Sequence, residues 1–147
     1  MRTRTLPSLT PGAIEALIRA GDTRTSAFSG VAIHHFHGAA TRTPIEDSAF
    51  GIRRPHAMVE ILAAWDPADD PTPHRQWADA LYTELATDAL EGGYPNMIGP
   101  DQAEQAQLAY GPNTARLLRV KDEYDPATLF SATPLPSRGP HDLKPGL

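Results

Sequence analysis

Residues 57–65 read AMVEILAAW, and they decide the fold. Nearly every position is apolar over a span too short for a buried helix. Such a run predicts a central strand, covered on both faces. Upstream, residues 29–37 read SGVAIHHFH. The pleat places Val31, Ile33, His35 and His37 on one face and Ala32, His34 and Phe36 on the other, so this is a second strand. Gly38, Ala39 and Ala40 follow, and their small size lets a backbone or a ligand come close.

Working outward, helices flank these strands. Thr10 and Pro11 form a helix start, since threonine caps free N–H groups and proline fits the first turn. The expected helix covers 11–20, with Ile14, Leu17 and Ile18 at helical spacing and Gly21 as its left-handed end. Asp66–Pro73 is a turn-rich loop. A helix over 73–90 carries the apolar stripe Trp77, Ala78, Leu81 and Leu85, and Glu91-Gly92-Gly93 ends it. Residues 94–100 form a loop. Asp101 is expected to cap a short helix to Leu108. Asn113 is expected to cap another, with Leu117, Leu118 and Val120 inward, that ends near Tyr124 because Pro126 disfavours helix at Asp125.

Early strands and late helices imply an α+β fold, with helices on one face of an antiparallel sheet. Two strands make a poor sheet. A further strand is expected around 41–50, or part of the sheet comes from elsewhere. Residues 1–8 read as an N-terminal arm, 9–130 as the folded unit and 131–147 as a proline-rich flexible tail.

Composition narrows the function. The chain has 147 residues, enough for one domain with a core. Its 13 basic and 18 acidic residues give a net charge of -5, which opposes a nucleic-acid partner. It has no cysteine, which excludes disulfides, thiolate metal sites, a cysteine nucleophile and sulfur-linked cofactors. The start has no apolar run of the signal-peptide kind. The apolar stretch 58–65 is too short to span a bilayer. A cytoplasmic protein without a membrane partner is the expectation.

The most informative motif is residues 110–130, YGPNTARLLRVKDEYDPATLF. It resembles the C-terminal signature of the berberine bridge enzyme-like family of FAD-linked oxidases. Tyr110, Gly111, Asn113, Arg116, Leu117, Lys121, Tyr124, Asp125, Pro126 and Phe130 match it. Tyr94-Pro95-Asn96 resembles the family's Tyr-x-Asn loop. His35 to Arg53, with Ala49, Phe50 and Arg53 as an Ala-Phe-x-x-Arg segment, resembles the family's substrate domain. The likeness runs from about Leu9 to Pro136, with the signature segment at about 92–136. The chain departs from the family pattern at His37-Gly38-Ala39, where two glycines are more usual. It departs again at Met97, where many members have an aromatic.

The resemblance implies an incomplete substrate domain of a flavin-linked oxidase. It implies oxidation of an alcohol or amine C–H of a small molecule or sugar. FAD would come from a separate FAD-binding part, since no Gly-rich pyrophosphate loop is present here, and the chain alone would be inactive and would not hold FAD. In that setting Tyr94 is the expected catalytic residue, and Tyr94 and Asn96 are the expected flavin contacts. A phenol can pass a proton, and an amide can donate to and accept from the flavin's polar edge. On sequence alone the same loop also reads as a surface turn with a packed aromatic.

His35, His37 and Arg53 are the expected substrate-pocket residues, with partly exposed sheet histidines and a surface salt bridge as the plainer readings. His35 and His37 share a face, but no third ligand completes a zinc site, so no metal is expected. Asp66, Asp69 and Asp70 lack EF-hand spacing and read as a solvated loop. Tyr110, Gly111 and Asn113 read as a helix start, and Lys121, Tyr124 and Asp125 as its anchor. The alternative function is a non-catalytic module that binds a small molecule or a protein, with self-association covering an exposed sheet edge.

Overall fold

The computed structural model describes residues 1–99 and 101–136. Three strands form one antiparallel sheet: β1 (Arg2–Leu6), β2 (Gly30–Phe36) and β3 (His56–Leu62), in the order β1-β3-β2. The apolar run at 57–65 does supply the central strand, and Ala57, Met58, Val59 and Ile61 are all buried. Register sets the two faces. Leu6 pairs with Ala57, while Met58 lies opposite both Thr5 and His34, and Phe36 lies opposite His56. Leu6, Val59 and Ile61 therefore share one face, and Thr5, His34, Phe36, His56 and Met58 share the other.

Among the described residues, helices pack on the first face. Helices α1 (Pro11–Asp22) and α2 (Pro71–Glu84) pack there, and Ala13, Ala16, Ala20, Trp77, Ala78, Leu81 and Leu85 join Leu6, Val59 and Ile61 in the main core. The fold is thus α+β, as the order of elements implies.

The third strand is β1, in the stretch read as an arm. Residues 41–50 instead hold a 3-10 turn, Ile45–Asp47, after another at Gly38–Thr41. RTRTL hid its strand because its apolar content lies in side-chain stems. Thr3 and Thr5 are buried. Arg2 donates to Asp79 at 2.8 Å, and Arg4 donates to the Tyr82 carbonyl at 2.9 Å with its guanidinium 3.6 Å from the Tyr82 ring centre.

Helix α1 is capped by Thr10, whose hydroxyl accepts from the Ala13 N–H at 3.1 Å. Its buried face is made of alanines, not of the expected isoleucines. Ile14 and Ile18 are 43% and 60% exposed. Alanines let the helix approach α2 closely, where the Trp77 indole donates to the Ala20 carbonyl at 2.9 Å. The helix runs through Gly21, and Thr23 closes it by bonding to Arg19. Helix α2 starts earlier than expected, because Asp70 caps it by accepting from the Thr72 N–H.

A second cluster of Ile98, Ala106, Ala109 and Tyr110 holds α3 (Ala103–Leu108) and α4 (Thr114–Tyr124). Asp101 does not cap α3. It pairs with Arg2, and Gln102 takes the cap position. The Asn113 amide donates to the Ile45 carbonyl at 2.8 Å instead of capping α4. Leu117 packs on the second cluster, but Val120 is 44% exposed. Lys121 and Asp125 do anchor the end of α4. They pair with each other, and Asp125 accepts from the N–H groups of Leu129 and Phe130 at 2.8 and 3.0 Å. Tyr124 points to solvent. Part of the expected tail is tied down, since the Tyr110 hydroxyl donates to the Pro134 carbonyl at 3.0 Å and Leu135 packs on the second cluster. The rest of that tail, 137–147, lies outside the described residues.

Candidate functional site

The helix-free face of the sheet carries a hollow of about 280 Å³. Its floor is strand: Thr5 from β1, Met58 from β3, and His34 with Phe36 from β2. Its walls are Phe50, His56, Tyr94 and Met97, with His35 at the border. Two close approaches bring these walls in. Gly92 has φ +80°, and a Cβ there would lie 2.7 Å from the Leu108 carbonyl oxygen, so the chain turns tightly into Tyr94. Gly51 presses on the Tyr110–Gly111 backbone, which fixes Phe50 one residue earlier.

The walls are aromatic and mutually supporting. Phe36 stacks on His56 with ring centres 4.6 Å apart. Phe36 and Phe50 lie 5.5 Å apart, and Phe50 meets Tyr94 edge-on at 5.9 Å. These are favourable aromatic geometries. The Asn96 amide donates to the Tyr94 hydroxyl oxygen at 3.1 Å. The loop is a 3-10 turn, Pro95–Met97, so the two side chains of Tyr94 and Asn96 come out together.

His56 and His34 sit differently at the hollow. His56 is buried, its Nδ1 lies 2.8 Å from the Arg54 carbonyl, and burial pushes its pKa below the usual histidine value. His34 is half exposed and lies 3.1 Å from Glu60.

Of the residues singled out in the sequence, Tyr94 and His35 touch the hollow, and Asn96 stands beside it on Tyr94. His37 does not line it. Its ring lies against His35, with centres 4.8 Å apart. Arg53 does not line it either. Its guanidinium donates to the Ala40 carbonyl at 3.2 Å, bonds Ser48, and sits 5.4 Å from the Phe50 ring centre. Arg53 thus braces a wall from behind. Sequence reasoning missed His34, Phe36, Phe50, His56 and Met58 as site residues. The pleat did sort His34 and Phe36 from His35 and His37, but which face meets the Tyr94 loop is set by tertiary packing. Among the described residues, no three His, Asp or Glu side chains gather to hold a metal, and no helix is long and apolar enough to cross a membrane.

The fold and the hollow define one class: an α+β layer with helices on one sheet face and an open aromatic site on the other. Residues 93–134 match the "Berberine and berberine like" family model. The resemblance to the berberine bridge enzyme-like family, carried by Tyr94–Asn96 and Tyr110–Phe130, is borne out. The FAD-linked oxidoreductase aurO of Gibberella zeae is 35% identical over 96 residues, which are 64% of this chain and 18% of that protein. The uncharacterized FAD-linked oxidoreductase YgaK of Bacillus subtilis is 31% identical over 93 residues, covering 63% of this chain and 20% of that protein. An FAD-linked oxidoreductase of Dictyostelium discoideum is 28% identical over 120 residues, covering 80% and 25%. The chain therefore spans about a fifth to a quarter of these relatives. In structure it is similar to the Physcomitrella patens BBE-like 1 variant, with a TM-score of 0.70 and 18% identity over 92% of this chain and 29% of that one. That likeness concerns the fold.

Proposed function

We propose that the chain is the substrate-side part of an FAD-linked oxidoreductase. It oxidises an alcohol or amine C–H of a small molecule or sugar, and a separate FAD-binding part completes it. The observation that carries this reading is the placement of the hydrogen-bonded Tyr94–Asn96 pair on an aromatic hollow that the helices leave open.

The residues present suit the ring of a flavin and not its phosphates. Tyr94, Phe50 and Met97 offer an apolar, aromatic surface to a planar ring, and the exposed Asn96 amide can meet its polar edge. The described residues hold no Gly-rich phosphate loop opening a helix. FAD, when bound, accepts the hydride. The protein's own work is to bind and orient the substrate in the hollow, exclude water with the aromatic walls, and move a proton. Tyr94 is the group for that step. Its phenolic oxygen is held by Asn96, so the proton leaves or arrives at a fixed atom.

The test is purification in two ways. Expressed alone, the chain is expected to be colourless and inactive as an oxidase. Tagged in its native host and recovered gently, it is expected to bring down an FAD-bearing polypeptide. A yellow protein with a flavin spectrum from the chain alone would overturn the need for a separate part. A native complex without flavin would overturn the oxidoreductase reading.

A further inference from the structure

We propose that His56 is a hydrogen-bond acceptor in the hollow, offering its Nε2 lone pair to the hydroxyl of a small aromatic alcohol. This deepens the reading above, since it names the ligand class of the same hollow.

The His56 Nδ1 lies 2.8 Å from the Arg54 carbonyl oxygen, which can only accept. The ring hydrogen therefore sits on Nδ1, and Nε2 carries a lone pair. The stack on Phe36, with planes 12° apart, holds the plane of the ring, and the bond to the Arg54 carbonyl selects which nitrogen faces that oxygen. Burial lowers the His56 pKa and so favours the neutral ring; the Arg54 and His35 charges add to this, while the hydrogen bond to the Arg54 carbonyl opposes it. The other histidine on this sheet face, His34, is engaged by Glu60 and is half exposed. His56 is the buried one.

The surroundings set the ligand. Phe36, Phe50 and Tyr94 present ring faces and edges, so an aromatic group packs there. A volume of about 280 Å³ suits one six-membered ring with a short substituent better than a larger polycycle. A neutral acceptor in an apolar wall favours a ligand that donates, such as an alcohol, over one that only accepts.

The experiment uses the chain with ¹⁵N-labelled histidine, benzyl alcohol as probe and benzyl methyl ether as the matched molecule without a donor. Three results are expected by NMR. His56 shows the Nδ1–H tautomer. Benzyl alcohol shifts the His56 Nε2 signal and binds about fivefold more tightly than the ether. His56→Phe, which keeps the stack on Phe36, loses that preference while still binding the ether. An Nε2–H tautomer in the unmodified chain would overturn the proposal without any variant. So would equal binding of alcohol and ether, or no binding of either. No flavin is needed, so failure of the flavin partnership leaves these outcomes unchanged, and the reverse holds too.

Discussion

Gly51 lies flat against Tyr110: a Cβ on Gly51 would sit 2.4 Å from the Tyr110 carbonyl carbon. The contact joins the segment that carries Phe50 to the start of the signature segment, and the Gly51 N–H also donates to Ala109 at 3.3 Å. Backbone on both sides cannot give way cheaply. Gly51→Ala is expected to lower stability by about 1–3 kcal/mol in urea unfolding. Gly21→Ala is the control. It lies inside α1 with open space at Cβ and should be neutral or stabilising by about 0.5–1 kcal/mol.

Gln105 fastens β1 to the loop that leads into Tyr94. Its amide donates to the carbonyls of Thr3 at 3.1 Å and Gly92 at 3.2 Å, and its oxygen accepts from the Tyr82 hydroxyl at 3.1 Å. Gln105→Leu would leave these groups unpaired. The expected loss is roughly 2–4 kcal/mol, measured by denaturant unfolding. Greater hydrogen exchange at Leu90, whose N–H donates to the Thr5 carbonyl across the same junction, should accompany it.

Asp125 links stability to pH. Its pairing with Lys121, helped by the Phe130 and Leu129 N–H groups, holds its carboxyl below the usual carboxylate range. A lowered folded-state pKa means the folded chain binds fewer protons there than the unfolded chain. The stabilisation is therefore present above the ordinary Asp pKa of about 3.9 and is lost as pH falls through the lower folded value. Unfolding at a series of pH values should show this loss in the unmodified chain and a flatter acid limb in Asp125→Asn.

Tyr94 and Asn96 separate chemistry from folding. Tyr94→Phe keeps the ring edge against Phe50 and removes the hydroxyl. In the proposed assembly with an FAD-binding part it is expected to lower kcat about 10²–10⁴-fold, the usual range for a proton-transferring group. Asn96→Ala leaves the hydroxyl but frees it, so a smaller fall in kcat is expected. Neither variant should change the unfolding free energy of the chain by more than about 0.5 kcal/mol, because surface changes rarely do.

The central strand and the buried stripe of α2 were legible in the sequence, because each is a dense local pattern, whereas Tyr94 and Asn96 were singled out only by resemblance to the family's Tyr-x-Asn loop. Strand β1 was not, since Arg2 and Arg4 bury stems while their charges find Asp79, Asp101 and Tyr82 far along the chain. The face of α1 was misread because hydrophobicity favoured Ile14 and Ile18, while close packing against Trp77 favoured Ala16 and Ala20. His56 was hidden for a similar reason. Its tautomer depends on the Arg54 carbonyl and its place in the hollow on Phe36, and neither is set by spacing.

The proposed function requires the Tyr94–Asn96 loop to meet a flavin ring. The most direct measurement is the NMR signal of a labelled Tyr94 ring when the chain is mixed with the FAD-binding part recovered from its host, once loaded with FAD and once stripped of it. Ring-current shifts are expected at Tyr94 and at the Asn96 amide with the loaded part, beyond any change the stripped part causes. Identical spectra with the two preparations would contradict it.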